Sequence, residues 1–214
     1  YAPAQYQLAY LHAEGYGVEK DYDQAYRWYR SAADGDYAPA QRFLGEQYTR
    51  EISVGSGIRT DYERAAHWLR LAAEQGYAQA QSELGALYDD NATWGWGTSA
   101  PEDFGEAARW YRQAAEQSHP YAQYHLGSLF ISGRGVKQDC EQAVLWLRAA
   151  IDQQKTRLLR DGGTEAGVNY AGAASQAMDR LGSLYLMGCG VPQEDKEGAG
   201  WIYRAATEYF NSRA

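Results

Sequence analysis

Several features common in enzymes and membrane proteins are missing from this sequence. It contains no run of about 18 apolar residues, which excludes a membrane-spanning helix of ordinary length. No Gly-x-Ser-x-Gly, His-Glu-x-x-His or Cys-x-x-Cys motif occurs. The histidines lack the convergent spacing of metal ligands, and they are His12, His67, His119 and His125. We therefore expect no enzyme activity, no cofactor and no metal site.

Positive charge is scarce as well. The 214 residues include 20 Lys and Arg against 28 Asp and Glu, which gives a net charge of −8. This balance argues against binding to nucleic acid or to an anionic membrane surface. It suits a basic protein partner, although many ordinary proteins are equally acidic.

The sequence instead repeats one phrase five times, at a period of roughly 35–40 residues. The phrase reads Ala-Gln-x-x-Leu-Gly in the second, third and fourth copies, ends in Ala in the first, and keeps only Ala, Leu and Gly in the fifth. A second phrase, Asp-x-x-x-Ala-x-x-Trp, follows it in the first four copies. Such a period indicates a solenoid, in which each unit buries its apolar face only against its neighbours. We expect one solenoid domain over residues 1–214. Its repeats are approximately 1–36, 37–76, 77–118, 119–154 and 173–214, with an insertion at 155–172.

Each repeat is expected to form two helices, A and B. Small Ala and Gly residues allow close helix approach, and the leucines fill the seam; these are Leu8, Leu44, Leu84, Leu126 and Leu181. Glycines are expected to end helix A, as at Gly15, Gly133 and Gly188. Acidic residues are expected to cap helix B, three of them in capping boxes; the caps are Asp21, Asp61, Asp103, Asp139 and Asp195. One repeat position is read as core tryptophan, at Trp28, Trp68, Trp110 and Trp146.

Together these phrases resemble the Sel-one-like repeat family, which is related to the tetratricopeptide repeats. The resemblance covers nearly the whole chain. It implies an all-α fold, a right-handed α/α superhelical solenoid of five antiparallel helix pairs. It also implies a role as adaptor, scaffold or inhibitor, often in bacterial envelope or virulence pathways. Immunity proteins against antibacterial phospholipase effectors include this repeat type.

Two loops between helices A and B are longer than the others, at residues 50–57 and 89–97. Both are expected at the same end of the solenoid, because they occupy the same place in adjacent repeats. The second contains Trp94 and Trp96 within a glycine-rich stretch. These tryptophans are candidates for interface anchors. Folding back to cover the end of helix A is an equally good interpretation.

The longest departure from the repeat pattern follows helix B of repeat four. We expect this helix to continue through residue 160 and to stop at 161–163, with residues 164–172 as a loop. Lys155, Arg157 and Arg160 form the local positive patch of an acidic chain. The patch is a candidate contact for an acidic partner surface, although such charges more often lie on a solvated helix face.

The cysteines are Cys140 and Cys189. Both are expected at the same end of neighbouring units, within bridging range. A disulfide would imply an oxidising compartment. Family members with disulfides carry a cysteine pair within each repeat, a pattern that this chain lacks, so two reduced cysteines are slightly favoured over a bridge.

The binding surface is expected at helix-A positions that differ between repeats. The candidates are Tyr6, Tyr10, Arg42, Glu46, Glu83, Tyr124 and His125. Variation at a fixed repeat position is what a ligand surface shows, and an unconstrained surface shows it too.

The sequence thus favours a non-enzymatic module that binds a protein. By family resemblance, we expect an inhibitor or immunity-type protein, or an adaptor, that binds a secreted effector or toxin or an envelope partner. The alternative is an envelope scaffold for polysaccharide assembly or export. The chain opens at Tyr1 inside the first phrase, so we expect the natural protein to begin upstream, with location in the bacterial periplasm or envelope favoured over the cytoplasm. The sequence does not name the partner or the oligomeric state.

Overall fold

The computed structural model describes residues 1–49, 61–89, 103–161 and 168–211, and within these ranges the chain is helical without strands. It divides into two compact units, Tyr1–Glu102 and Asp103–Ala214. In unit 1 the helices are α1 (Ala2–Glu14), α2 (Tyr22–Asp34), α3 (Ala38–Thr49), α4 (Tyr62–Glu74) and α5 (Ala78–Tyr88). In unit 2 they are α6 (Phe104–Glu116), α7 (Pro120–Ser132), α8 (Cys140–Asp161), α9 (Val168–Met187) and α10 (Asp195–Asn211). Within each unit, helices adjacent in sequence pack together, which confirms the all-α prediction of paired helices.

Aspartate caps begin four of the B helices, as the sequence predicts. The carboxylate accepts a hydrogen bond from the backbone N–H three residues later, at Asp21, Asp61, Asp103 and Asp139. The reciprocal half of the capping box is not used at Asp21 or Asp139, because their backbone N–H groups donate to the carbonyls of His12 and Phe130 on the preceding helix.

The cap prediction is wrong in repeat five, where Asp195 is the first residue of α10. Glu194 takes the cap's place, since its N–H donates to the carbonyl of Tyr185 and its carbonyl accepts from Gly198.

The core of helix B lies one residue beyond the predicted tryptophan position. Trp68 and Trp110 are buried, but Trp28 and Trp146 are only half-buried. The residue that follows each tryptophan is buried in all four helices, at Tyr29, Leu69, Tyr111 and Leu147. The core prediction is therefore right for two tryptophans and wrong for the other two, because the helix face that packs inward is centred on the next residue.

The glutamine of the Ala-Gln phrase joins successive repeats. Gln41, Gln81 and Gln123 are buried, and their side-chain amides donate to the carbonyls of Ala33, Ala73 and Ala115 at 3.0–3.2 Å. These carbonyls lie in the last turn of helix B, where each also accepts a hydrogen bond from a backbone N–H of the following turn, that of Asp36, Gly76 or Ser118. The buried amide thus adds a second hydrogen bond to each of these carbonyls.

Helix α8 extends to Asp161, close to the predicted end at residue 160. The prediction of a loop over residues 164–172 is wrong at its C-terminal end, because α9 begins at Val168. Ala173 and Ala174 are buried, and alanine is the strongest helix former. Packing and propensity therefore act together to start the helix before the repeat phrase.

Cys140 and Cys189 are joined by a disulfide, with Cα atoms 5.5 Å apart, whereas the sequence slightly favoured reduced cysteines. Cys140 begins α8 and Cys189 follows α9, so the expected placement at one end of neighbouring units is correct. The turn approaches closely because Gly190 has no Cβ to strike the Cys140 backbone. On the chain-entropy model, closing a loop of 49 residues contributes about 4 kcal/mol to stability.

The structure predicts opposite effects for two Gly→Ala substitutions in the α9–α10 pair. A Cβ on Gly182 would lie 2.7 Å from the Gly198 carbonyl oxygen, whereas a Cβ on Gly200 would meet no atom within 4 Å. We expect Gly182→Ala to lower the free energy of unfolding by about 1–3 kcal/mol through overpacking. The matched control, Gly200→Ala, should leave it unchanged or raise it by up to about 1 kcal/mol. Urea denaturation followed by circular dichroism measures both, and equal effects would contradict the packing at Gly182.

Candidate functional site

A cavity of about 470 Å³ opens among the first three helices of unit 1. Tyrosines dominate its lining, and carboxylates from two helices reach it. Helix α1 contributes Tyr6, Tyr10, Ala13 and Glu14, α2 contributes Tyr22, Ala25, Tyr26 and Tyr29, and α3 contributes Phe43, Glu46 and Gln47. We call this the tyrosine cavity. Its volume falls within the range of sites that hold a small molecule or a side chain.

Ring contacts fix the walls of the tyrosine cavity. Tyr29 stacks on Phe43 with ring centroids 3.9 Å apart. Tyr6 meets Tyr29 and Tyr37 edge to face at 5.2 and 5.4 Å. Aromatic pairs in these arrangements hold each other beyond the gain from simple burial. The walls are therefore formed before any ligand arrives.

Three phenols of these walls, those of Tyr6, Tyr26 and Tyr29, have a raised pKa and remain neutral over the physiological range. Burial, followed by the hydrogen bond to Tyr48, raises the pKa of Tyr26 to about 12; the two hydroxyl oxygens are 3.2 Å apart. Burial also raises the pKa of Tyr6 and of Tyr29 above the ordinary value. The cavity thus offers uncharged aromatic surface.

Beside the cavity lies a largely buried ionic cluster of Arg42, Glu46 and Glu83. Arg42 Nη2 is 2.7 Å from Glu46 Oε2, and its Nε is 2.8 Å from Glu83 Oε1. Gln79 donates a further hydrogen bond to Glu83 Oε1 at 3.2 Å. Glu83 Oε2 is buried without a hydrogen-bond partner among the residues that the structure describes.

Burial dominates the protonation of Glu83. It raises the pKa of this carboxyl to about 7, although Arg42 acts in the opposite direction. Burial also disfavours the charged form of Arg42, but Glu83 and Glu46 together keep its pKa above the ordinary value. Arg42 therefore stays cationic while Glu83 titrates.

The structure brings five of the predicted binding residues together. Tyr6, Tyr10 and Glu46 line the tyrosine cavity. Arg42 and Glu83 form the adjoining cluster, where their side chains are only 18% and 7% exposed. These two charges are thus held by other side chains of unit 1 rather than displayed on an open groove.

Tyr124 and His125 do not fit the prediction of a groove surface. Both are buried, at 9% and 4% exposure. The His125 ring stacks on Tyr111 with centroids 5.2 Å apart and lies 4.1 Å from the Tyr121 ring. The reason is that both side chains pack among aromatic rings of α6 and α7.

The other predicted sites are described in part or not at all. Trp94 and Trp96 lie outside the described residues. Lys155, Arg157 and Arg160 lie on α8, for which the structure describes the backbone alone at these positions. Their roles in binding stay predictions.

Sequence reasoning missed most of the cavity walls, in particular Tyr22, Tyr26, Tyr29 and Phe43. A signal existed at Tyr26, because the same place in the next two repeats holds Ala66 and Ala108. A bulky ring where other repeats have alanine departs from the repeat pattern. The repeat positions predicted to bind lie on helix A, whereas Tyr26 lies on helix B.

The described part of the chain contains no cluster of three or more His, Cys, Asp or Glu side chains able to hold a metal ion. None of its helices is long and apolar enough to span a membrane.

A family model, the Sel1 repeat, matches the chain at residues 2–37, 38–77, 78–119, 120–155 and 175–209. No curated protein matches the chain.

Solved structures of similar fold include a Sel1 repeat protein from Oxalobacter formigenes, 30% identical with a TM-score of 0.73, over 97% of this chain and 73% of that one. Protein c5321, a protective antigen of uropathogenic Escherichia coli strains with an SLR fold, is 28% identical with a TM-score of 0.64, over 97% of this chain but 46% of that one. Immunity protein Pa5087 from Pseudomonas aeruginosa is 19% identical with a TM-score of 0.50, over 99% of this chain and 69% of that one. This last likeness concerns the fold alone.

The titration of Glu83 predicts a specific pH dependence. The pKa of Glu83 is about 7 in the folded protein, above the ordinary value of 4.5. The contribution of this carboxyl to the free energy of unfolding is therefore complete below the unfolded pKa and is lost as pH rises through about 7. Glu83→Gln removes this titration, so wild type and variant should be similar near pH 5. Near pH 8 the variant should be more stable, by on the order of 2 kcal/mol. Urea denaturation across this range measures the difference. The exposed Glu74→Gln is the control, and parallel profiles for wild type and Glu83→Gln would contradict the assignment.

Proposed function

The chain belongs to the Sel1 repeat family, and from that premise we propose that this protein-binding repeat module is an inhibitor of the immunity type, or an adaptor, that binds a secreted effector or an envelope partner. The module does so without chemistry of its own. Repeat solenoids offer extended surfaces to other macromolecules, and their stacked units supply a rigid frame for those surfaces.

One observation carries the proposal, namely that residues departing from the repeat pattern converge on one cavity. Residues at positions that are the same in most repeats pack between helices. Leu44 and Gln41 are examples, and both are buried. Tyr6, Tyr10 and Tyr26 depart from the pattern, and all three line the tyrosine cavity. A surface that differs from its own repeat is where selective recognition is expected.

The net charge, the disulfide and the fold each support the proposed class of partner. The net charge of −8 suits a cationic effector. The Cys140–Cys189 disulfide suits an oxidising compartment such as the bacterial periplasm. The fold is shared with a protein named as an immunity protein, which motivates the inhibitor form of the proposal.

A second candidate is an envelope scaffold for polysaccharide assembly or export. Exposed tyrosines favour it, since Tyr10 at the cavity and Tyr16 outside its lining are 44% and 59% exposed, with ring centroids 6.0 Å apart. Aromatic faces of this kind can stack on sugar rings. A scaffold would bind several envelope components weakly rather than one partner tightly.

The two candidates predict different results when the tagged chain is recovered from native lysate and its partners are quantified by mass spectrometry. The inhibitor predicts one dominant partner in a one-to-one complex, and co-expression with that partner should relieve its toxicity. Tyr10→Ala should reduce recovery at least about fivefold if the cavity is central to the interface. The exposed Tyr203→Ala is the control, and Trp94→Ala/Trp96→Ala tests the loop. Several envelope proteins at low yield, or no partner, would contradict the inhibitor.

A further inference from the structure

We propose that the tyrosine cavity is an aromatic cage that receives a cationic side chain, arginine or lysine, from the protein partner. This inference rests on the proposed function and gives the chemistry by which the partner is recognised. Cations are attracted to the faces of aromatic rings within about 6 Å of the ring centroid, and aromatic cages are a known use of that attraction.

The shape of the cavity matches such an occupant. Rings from three helices surround it, and the stacked pair of Tyr29 and Phe43 stands beside the edge-on ring of Tyr6. A volume of about 470 Å³ accommodates one long side chain together with part of its neighbour. Because the walls are already packed against each other, little ordering is needed on binding, which favours affinity.

The charges around the cavity also favour a cation. Glu14 and Glu46 line it, and none of the described lining residues is basic. Glu14 forms no ion pair within the part of the chain that the structure describes, whereas Glu46 pairs with Arg42. On α5, Glu83 faces the same arginine.

Two further cations near the cavity are themselves engaged, and the first is Lys20, whose Nζ lies 4.9 Å from the centroid of the Tyr22 ring. The second, Arg30 on α2, pairs with Asp34 at 3.1 Å, and its guanidinium lies 4.8 Å from the centroid of the Trp68 ring. These cations are thus held by side chains of unit 1, and the two charged residues of the described lining, Glu14 and Glu46, are both acidic.

The chain itself repeatedly places arginine over aromatic rings. Arg109 lies 4.2 Å from the Trp110 centroid, and Arg134 lies 5.0 Å from that of Phe104. At the tyrosine cavity itself, Lys20 lies 4.9 Å from the centroid of the Tyr22 ring, whereas Tyr29 and Phe43 stack on each other. A partner's side chain would add a further contact between a cation and a ring, of a kind that this protein already uses.

The test uses capped single amino acids and the whole chain. N-acetylarginine methylamide and N-acetyl-lysine methylamide are titrated into labelled protein and followed by NMR. The neutral isostere N-acetylcitrulline methylamide is the matched ligand control. We expect saturable shifts confined to α1, α2 and α3 with the cationic amides, and at least about fivefold weaker binding of citrulline. Equal binding of citrulline, or no saturable shift with either cation, would overturn the proposal.

Two exposed side chains provide variants that leave the core intact. Tyr10→Ala and Glu14→Gln should each weaken arginine binding about three- to tenfold, because one removes a ring and the other a charge. Tyr203→Ala and Glu74→Gln are matched controls on exposed positions and should bind as the wild type does. Circular dichroism verifies folding. Variants that bind arginine as tightly as the wild type would overturn the cage.

A neutral sugar, methyl α-D-glucopyranoside, separates the cage from a carbohydrate site. Stronger binding of the sugar than of the arginine amide at the same residues would overturn the cation proposal. These titrations need no partner, so they fail independently of the proposed function. Arginine binding without any recoverable partner would support the cation site and contradict the inhibitor proposal. A partner that Tyr10→Ala and Glu14→Gln still bind would support the inhibitor proposal and contradict the cation site.

Discussion

Close approach of paired helices is the constraint on which the rest of this structure depends. At Gly45 a Cβ would lie 2.6 Å from Leu69 Cγ, and at Gly182 it would lie 2.7 Å from a backbone oxygen. Helices this near leave no room for water, so polar groups at their ends need partners within the protein. The buried amide of Gln81 provides such a partner for the Ala73 carbonyl. Glycine and this glutamine occur together in repeats two to four, whereas repeat five keeps Gly182 with Met178 at the glutamine position.

Because those positions are occupied in helix packing, binding residues are expected at the other positions of the repeat. The position before the conserved leucine of the repeat shows this clearly. It holds Phe43 in the wall of the tyrosine cavity, Glu83 in the buried ionic cluster and His125 in an aromatic stack. One place in the repeat thus supports three environments, and its side chain decides which one forms. The carboxylates and aromatic rings at the tyrosine cavity follow from such side-chain differences between repeats rather than from a change of fold.

The sequence predicted what repetition encodes and missed what depends on packing geometry. Helix order, four aspartate caps and the glycine ends at Gly15, Gly133 and Gly188 were all predictable, because each has a local cause. The buried face of helix B was assigned one residue too early at Trp28, since helix rotation is set by neighbours. In the site, Tyr6, Tyr10 and Glu46 were found by comparing A helices. Tyr29 and Phe43 were not, because only the assembled helices bring their rings together.

Site-specific photo-crosslinking in the native cell is the most direct test that a partner binds at the tyrosine cavity. A benzophenone amino acid replaces Tyr10 at the cavity in one variant and the exposed Tyr203 in another. The account predicts one discrete crosslinked protein from position 10, reduced by Glu14→Gln, and none from position 203. No crosslink from position 10, or the same species from both positions, would contradict it.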